Sequence, residues 1–276
     1  MPETAVSVTY CKTALVKTGI PGYRFCLNPY VGCSHGCRYC YADTVLRFSG
    51  CSEKWGEFAT AKINFPEVLR HELTRKRSFE GKIIVGTVTD AYQPAEKKFG
   101  LTRKSLETIA DLWPHAELDL LTKSHLVVRD VDVLKKLKNC SIGFTITLRD
   151  DDVASVLEPG AAAPSKRFSA AEKLAAEGIK VWAFIAPVLP GLTDAPGVLE
   201  NIVLDLKEAG VEEIYFDSLN PYPASIQRLK AVYRENFPGA QKHLEYYLSS
   251  PKGYLKRLFQ ELASLSKKTG LSLRMG

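Results

Sequence analysis

The chain has 276 residues, 45% of them hydrophobic and 25% charged, a balance that excludes a disordered or fibrous protein. That length accommodates two domains of ~150 residues or a single α/β barrel. The strongest apolar stretch, Trp182 to Leu189, is broken by proline and falls short of a membrane span, and the N-terminus lacks the basic-then-apolar pattern of a secretory signal. The expectation is a cytoplasmic protein with no membrane contact.

The net charge of +6 is unevenly placed: residues 230–276 carry nine Lys or Arg against three Asp or Glu, while the preceding 229 residues balance at 28 of each. Such a basic segment either tracks the phosphates of a nucleic acid or forms a solvated helix face. The seven cysteines (Cys11, Cys26, Cys33, Cys37, Cys40, Cys51 and Cys140) are odd in number. Without a secretion signal this argues for reduced thiols serving metal binding or chemistry, not a disulfide framework.

In chain order, a short strand is expected at Asn28 to Val31, directly before the cysteine-rich stretch. Ile83 to Val88 is a β-branched run of the kind buried in parallel sheets, followed by a helix over 102–113 with Thr102 as its N-cap. Leu118 to Thr122 is the next strand, with a helix over about 130–138. Ser141 to Leu148 follows, then a flexible-looking connection around 159–165 and a helix over 168–177 stopped by Gly178. Lys180 to Ala186 precedes a helix over 196–209 closed by Gly210, and Glu213 to Ser218 precedes a helix with Pro223 near its start. Six β-then-α units imply parallel strands with right-handed crossovers, too few to close an eightfold barrel. The expected architecture is α/β, a partial (β/α)6 TIM-like barrel over 28–229. An N-terminal extension (1–27) precedes it, and a basic helical C-terminal extension (230–276) packs on it.

Active sites in such folds form at the C-terminal ends of the strands. The sequence places Cys33, Cys37 and Cys40 after the first strand and Thr89, Asp90, Tyr92 and Gln93 after the second. Lys123 and Ser124 follow the third, Thr145 and Thr147 end the fourth, and Pro187 to Gly191 follow the fifth. Cys33-x3-Cys37-x2-Cys40 is too tight for one regular helix, so a loop must wrap three sulfurs around a metal centre. Three thiolates can bind three irons of a four-iron cluster and leave the fourth open. The alternative is a structural zinc with His35, Cys26 or Cys51 as fourth ligand, although His35 lies between two ligands, where its ring turns onto the same ion with difficulty.

The run Asn28-Pro29-Tyr30-Val31-Gly32-Cys33-Ser34-His35-Gly36-Cys37-Arg38-Tyr39-Cys40-Tyr41-Ala42 resembles the radical S-adenosylmethionine (SAM) superfamily, whose signature is CxxxCxxC with an aromatic before the third cysteine. The resemblance is closest to the branch related to spore photoproduct lyase. It extends over about 26–220 through Thr89-Asp90-Ala91-Tyr92-Gln93-Pro94, Leu121-Thr122-Lys123-Ser124, Phe144-Thr145-Ile146-Thr147 and Ala186-Pro187-Val188-Leu189-Pro190-Gly191-Leu192. It implies a 4Fe–4S cluster on Cys33, Cys37 and Cys40, and a low-potential electron donor such as a ferredoxin or flavodoxin. It also implies reductive cleavage of SAM to a 5′-deoxyadenosyl radical that takes hydrogen from a substrate.

By the same resemblance Tyr39 sits beside the adenine, Thr89 and Asp90 hold the SAM amino group, and Lys123, with Ser124 beside it, faces the methionine carboxylate. Thr145 lies near the ribose or carboxylate, and Val188 and Leu189 line the adenine. Tyr41 and Tyr92 are candidate redox phenols. Bland roles stay open: Lys123 as a solvated charge, Asp90 as a cap or turn residue, Thr145 as a barrel-interior hydroxyl. The sequence departs from spore photoproduct lyase two residues before Asp90, where a hydrogen-donating cysteine is replaced by Val88. That puts thymine-dimer repair in doubt but not the SAM chemistry, and a non-catalytic metal protein with a basic binding tail is the third reading.

Overall fold

Alternation of β-branched runs with amphipathic segments generates a parallel sheet. The computed structural model describes residues 5–48, 53–76 and 80–275. The N-terminal part comprises β1 (Ala5–Thr9), β2 (Val16–Lys17), β3 (Phe25–Leu27), β4 (Tyr30–Gly32), α1 (Ala42–Phe48), β5 (Phe58–Lys62) and α2 (Phe65–Thr74). β6 (Ile83–Val85) then leads to α3 (Glu96–Phe99) and α4 (Leu101–Leu112), and β7 (Glu117–Thr122) leads through a 3-10 turn (His125–Asp130) to α5 (Val131–Leu134). β8 (Asn139–Thr145) is followed by α6 (Asp151–Leu157) and α7 (Pro164–Ala176), and β9 (Lys180–Val188) by α8 (Val198–Glu208). β10 (Glu213–Ser218) precedes α9 (Pro223–Asn236), α10 (Pro238–Ser249), α11 (Pro251–Thr269) and β11 (Ser272–Met275).

The main sheet runs β2-β3-β6-β7-β8-β9-β10-β11. Every neighbouring pair from β3 to β11 is parallel, and only β2 pairs antiparallel, with β3. The sheet stays open, with β2 and β11 at its ends: the expected partial barrel. A smaller sheet, β1-β5-β4, stands beside it. No helix of the described residues is long and apolar enough to cross a membrane.

Several boundaries differ from the sequence expectation, each for a local reason. The first barrel strand is Phe25–Leu27, paired with β6, whereas Tyr30–Gly32 leaves to pair antiparallel with β5. The chain turns between them at Asn28-Pro29, and a periodicity argument cannot see which sheet a three-residue run will join. The second strand stops at Val85, because Gly86 takes a left-handed φ of 88°. Thr102 does not cap α4: it lies inside the helix, and its backbone N–H and that of Arg103 donate to the Glu96 carboxylate at 2.9 and 3.1 Å. The helix expected over 130–138 is only α5 with the 3-10 turn before it. The C-terminal segment is not wholly helical, since β11 extends the sheet beside β10. α11 buries Tyr254, Leu258, Leu262 and Leu265. Their spacing forms one face, which packs on α8, α10 and β11.

Glu96 is fully buried, accepts from Tyr30 Oη and pairs with Arg129 as well as capping α4. Glu96→Ala removes an acceptor from several donors at once. It should destabilise the cluster-free protein by roughly 2–4 kcal/mol, discounted for the partial exposure of Arg129. Urea unfolding of the two proteins checks it, and a loss below about 1 kcal/mol would show that water replaces the carboxylate freely.

Candidate active site

The C-terminal strand ends enclose a cavity of about 130 Å³. Cys33, Cys37 and Cys40 form one wall, with Ala42 and Trp55 beside them. The opposite wall is Gly86 to Asp90 after β6, Leu121 to Lys123 at the end of β7, Thr145 at the end of β8, and Phe184 and Ala186 of β9. The three thiols and Lys123 thus face one space.

The wrapped cysteine loop carries backbone groups with no ladder to satisfy them, so side chains from distant elements do it. Thr89 Oγ1 donates to Gly32 O at 2.5 Å, and Gln93 Nε2 donates to the same carbonyl at 3.2 Å. Gln93 Oε1 accepts from Ser34 N at 3.0 Å. Trp55 Nε1 donates to Cys37 O at 3.2 Å. Arg228 of α9 donates to Arg38 O at 3.2 Å and Cys40 O at 3.1 Å and pairs with Asp43. From below, Arg38 N donates to Leu157 O at 2.8 Å and Gly160 N to His35 O at 2.9 Å. The connection at 159–165, flexible by composition, is therefore part of the loop's support. Gly36 and Gly56 both have positive φ, and a Cβ on Gly56 would come within 2.7 Å of Gly36 Cα, so two backbones meet where no side chain fits.

Asp90 is engaged from several directions. Its Oδ1 accepts from Tyr92 N at 2.8 Å and Thr122 Oγ1 at 2.7 Å. Its Oδ2 accepts from Lys123 N at 2.7 Å and lies 3.4 Å from His35 Nδ1. Burial by itself would raise the carboxyl's pKa, but His35 and the hydrogen bonds from Lys123 and Thr122 hold it well below the usual carboxylate range. Burial pushes the thiols the other way: Cys33 up to about 12, Cys37 well above its ordinary value and Cys40 above it too. A metal must therefore displace protons to bind. Burial acts to lower Lys123, yet Cys37 and Glu158 more than offset it, so the ammonium is held charged.

No group of three or more His, Cys, Asp or Glu side chains among the described residues converges on a single metal ion. Three thiols spread along one wall fit a cluster, in which each sulfur binds its own iron. His35, the nearest zinc alternative, turns its Nδ1 to Asp90 instead. Cys26 accepts from Asn28 Nδ2 at 3.6 Å on β3, and Cys51 lies outside the described residues.

Of the other expected site residues, Lys123, Thr89, Asp90 and Thr145 line the cavity. Asp90 lines the cavity, and its carboxylate accepts from Tyr92 N, Thr122 Oγ1 and Lys123 N and faces His35 Nδ1, so within this structure it ties the strand ends together. Tyr39 does not line the cavity: its hydroxyl donates to Glu158, which is paired with Arg167 in the interior, and Lys123 Nζ lies 5.6 Å from its ring centroid. Ser124 is a cap, accepting from Leu126 N at 3.3 Å. Val188 and Leu189 are fully buried in the core, and Phe184 and Ala186 take the wall position assigned to them. Tyr92 points away, donating to buried Asp130 at 2.9 Å. Tyr41 is partly exposed and donates to Thr87 O at 2.9 Å, with burial and Cys40 raising its phenol to about 12. Trp55, Glu158, Arg167 and Arg228 were missed. A buried Gln93 in a polar motif was a readable signal; Trp55, Glu158 and Arg228 reach the cysteine loop only through contacts 18, 119 and up to 190 residues away in sequence, and Arg167 acts through Glu158.

The profile of the radical SAM superfamily matches residues 27–200. The chain is 34% identical over 263 residues to an uncharacterized protein of Methanocaldococcus jannaschii, covering 95% of this chain and 93% of that one. It is 31% identical over 210 residues to an uncharacterized protein of Mycobacterium tuberculosis, covering 72% of this chain and 61% of that one. Among solved structures it is similar to spore photoproduct lyase complexed with dinucleoside spore photoproduct, with a TM-score of 0.69 and 16% identity over 98% of this chain and 81% of that chain. SuiB of Streptococcus suis bound to S-adenosylmethionine gives a TM-score of 0.55 at 12% identity, over 91% and 46% of the two chains. At such identities the likeness speaks to the fold.

If Cys33, Cys37 and Cys40 are the cluster's three ligands there is no spare thiolate, so Ala at any one of them should abolish iron binding after anaerobic reconstitution. Cys11→Ala and Cys140→Ala should retain it. Iron per chain, measured by elemental analysis, decides; full loading of Cys37→Ala would overturn the ligand set.

Proposed function

This chain belongs to the radical SAM superfamily, and from that membership we propose that it is an enzyme cleaving SAM reductively at a cluster held by Cys33, Cys37 and Cys40. The observation that carries the reading is the placement of those three thiols and the Lys123 ammonium on the walls of one cavity at the strand ends. Superfamily members use SAM and a 4Fe–4S cluster. When bound, a cluster reduced by one electron would pass that electron to the sulfonium of SAM, a reductive C–S cleavage giving methionine and a 5′-deoxyadenosyl radical able to take hydrogen from substrate.

The protein's part is to bind, orient and exclude water. Lys123 is a compact charge suited to the methionine carboxylate, and the backbone hydrogen bond to Asp90 fixes the strand end that carries it. Thr89 and Gln93 hold the loop's shape by clamping Gly32 and Ser34. Phe184 and Ala186 offer an apolar wall for a nucleoside ring. A ferredoxin- or flavodoxin-like partner would deliver the electron from outside.

Reconstituted, reduced protein with SAM should form 5′-deoxyadenosine and methionine slowly without substrate, measured by chromatography. Lys123→Ala should keep its iron yet weaken SAM by roughly 1.5–3 kcal/mol in calorimetry, the range for a hydrogen bond to a charged group. Unchanged affinity would make Lys123 a bystander.

A second reading, a DNA photoproduct lyase, is favoured by the likeness to spore photoproduct lyase and by the basic segment at 230–276. Against it stands Val88, which lines the cavity where a thiol hydrogen donor would be needed. On our reading, wild-type protein converts a synthetic dinucleoside spore photoproduct poorly and with by-products, and Val88→Cys makes the outcome cleaner. Efficient, clean repair by the wild type would restore the lyase reading.

A further inference from the structure

Below the candidate site the barrel holds a second chamber of about 390 Å³, with Leu121 and Phe184 lining both spaces and forming the partition between them. Both carboxylates in its wall are cancelled in place. Asp119 accepts from Lys82 at 2.6 Å and from the Tyr23 and Ser141 hydroxyls at 2.5 Å each. Glu213 accepts from Lys180 at 3.1 Å and Tyr215 Oη at 2.6 Å.

The next carboxylate in the same inward row is different. In β10, Ile214 and Phe216 are fully buried in the core, whereas Glu213 and Tyr215 line the chamber. Alternation turns Asp217 to that interior side, one step nearer the mouth. The register with β9 shifts beyond Phe216, but the extra residue lies on β9, so Asp217 stands opposite Ala186 and Pro187. Ala186 is on the wall of the candidate site. Asp217 is partly buried, and its Oδ1 accepts from the backbone N–H of Ser218 at 2.7 Å. Among the described residues no Lys, Arg or His pairs with it and nothing donates to Oδ2. Burial raises its carboxyl above the ordinary value with no cation to offset it. Arg228, which α9 sends to this side of the barrel, is already bound to Asp43 and to the carbonyls of Arg38 and Cys40.

Two exposed tyrosines share this part of the rim. Tyr41 follows the third cysteine and donates to the carbonyl of Thr87, a residue of the cavity wall. Tyr222 directly precedes α9, and the Arg228 bond to Cys40 O holds that helix against the cysteine loop. After burial and Cys40, it is Tyr222 and Asp217 that raise the Tyr41 phenol, so both lie within electrostatic reach of it.

We propose that Asp217 is a cation subsite at the mouth of the candidate active site, taking a primary ammonium on Oδ2 with the Tyr41 and Tyr222 rings beside it. An unpaired, partly desolvated carboxylate attracts a positive group, and aromatic faces add to the attraction. With Oδ1 already accepting, the one free oxygen suits the point charge of an ammonium better than the fork of a guanidinium, and a phosphate would be repelled. The substrate class is thereby an amine-bearing molecule. That assignment rests on the SAM reading above, whereas the cation preference itself does not.

The test is a ligand-observed NMR titration of the full chain, cluster-free and reconstituted, with n-pentylammonium as probe and 1-pentanol and pentanoate as neutral and anionic controls. Pentylammonium should bind roughly tenfold or more tightly than pentanol, and pentanoate should not bind. Saturating SAM should not displace the ammonium from the reconstituted protein. Asp217→Asn keeps the shape and removes the charge, and should lower pentylammonium affinity about tenfold, toward that of pentanol, with iron content unchanged. Tyr222→Leu should weaken it about threefold. The wild-type series needs no variant and so survives a folding failure of either one. Parity with pentanol, displacement by SAM, which would put the cation in the SAM site, or an undiminished affinity in Asp217→Asn would each overturn the proposal. Ammonium binding that depends on Asp217 in a protein that forms no 5′-deoxyadenosine would count against the SAM reading and leave the subsite standing.

Discussion

The buried carboxylate of Asp90 is the constraint around which the upper half of the barrel is arranged. It joins three segments that share no secondary structure: the cysteine loop through His35, its own turn through Tyr92 N, and the end of β7 through Thr122 and Lys123. A buried charge held by three donors and faced by His35 couples the positions of all four groups, because each helps to offset its loss of water. The ammonium of Lys123 and the thiols of the loop consequently share one reference point.

A second buried charge system supports the loop from beneath. Glu158 and Arg167 pair out of water, Tyr39 donates its hydroxyl to Glu158, and Arg167 donates to Thr145 O at 3.1 Å and Ala162 O at 2.7 Å. Burial opposes the charge on Glu158, but Arg167 and Lys123 outweigh it and keep the carboxylate ionised. Such a pair contributes less to stability than to defining one arrangement, since losing either member strands the other. Tyr39, in the middle of the cysteine motif, is thereby tied to α7, an element more than a hundred residues downstream.

The barrel interior is divided accordingly. Above Leu121 and Phe184 the walls carry the three thiols, several hydroxyls, the Asp90–His35 pair and a single lysine; below them lie aromatic rings and neutralised ion pairs. The upper space is shaped by loops leaving the strands and the lower by the strands themselves, whose alternating residues point inward.

The sequence by itself determined the parallel β-then-α order, the open barrel and the clustering of three cysteines at its mouth, because hydrophobic period, helix stops at glycine and cysteine spacing are local signals. It also located Lys123, Thr89, Asp90 and Thr145 at strand ends. What it did not determine were properties of contacts across the chain. Phe25–Leu27 entered the barrel in place of Tyr30–Gly32 because pairing with β6, and not composition, selects the strand. Val188 and Leu189 are closed over in the core at the end of β9, leaving Phe184 and Ala186 on the cavity wall, and that burial depends on what packs over the strand end. Ser124 became a cap, and Tyr92 a partner of Asp130, because the turn after β7 folds back on both. Arg228 reached the cysteine loop only through the packing of α9. Tertiary structure decided these points for one physical reason: buried polar groups must find partners, and the nearest in space is seldom the nearest in sequence.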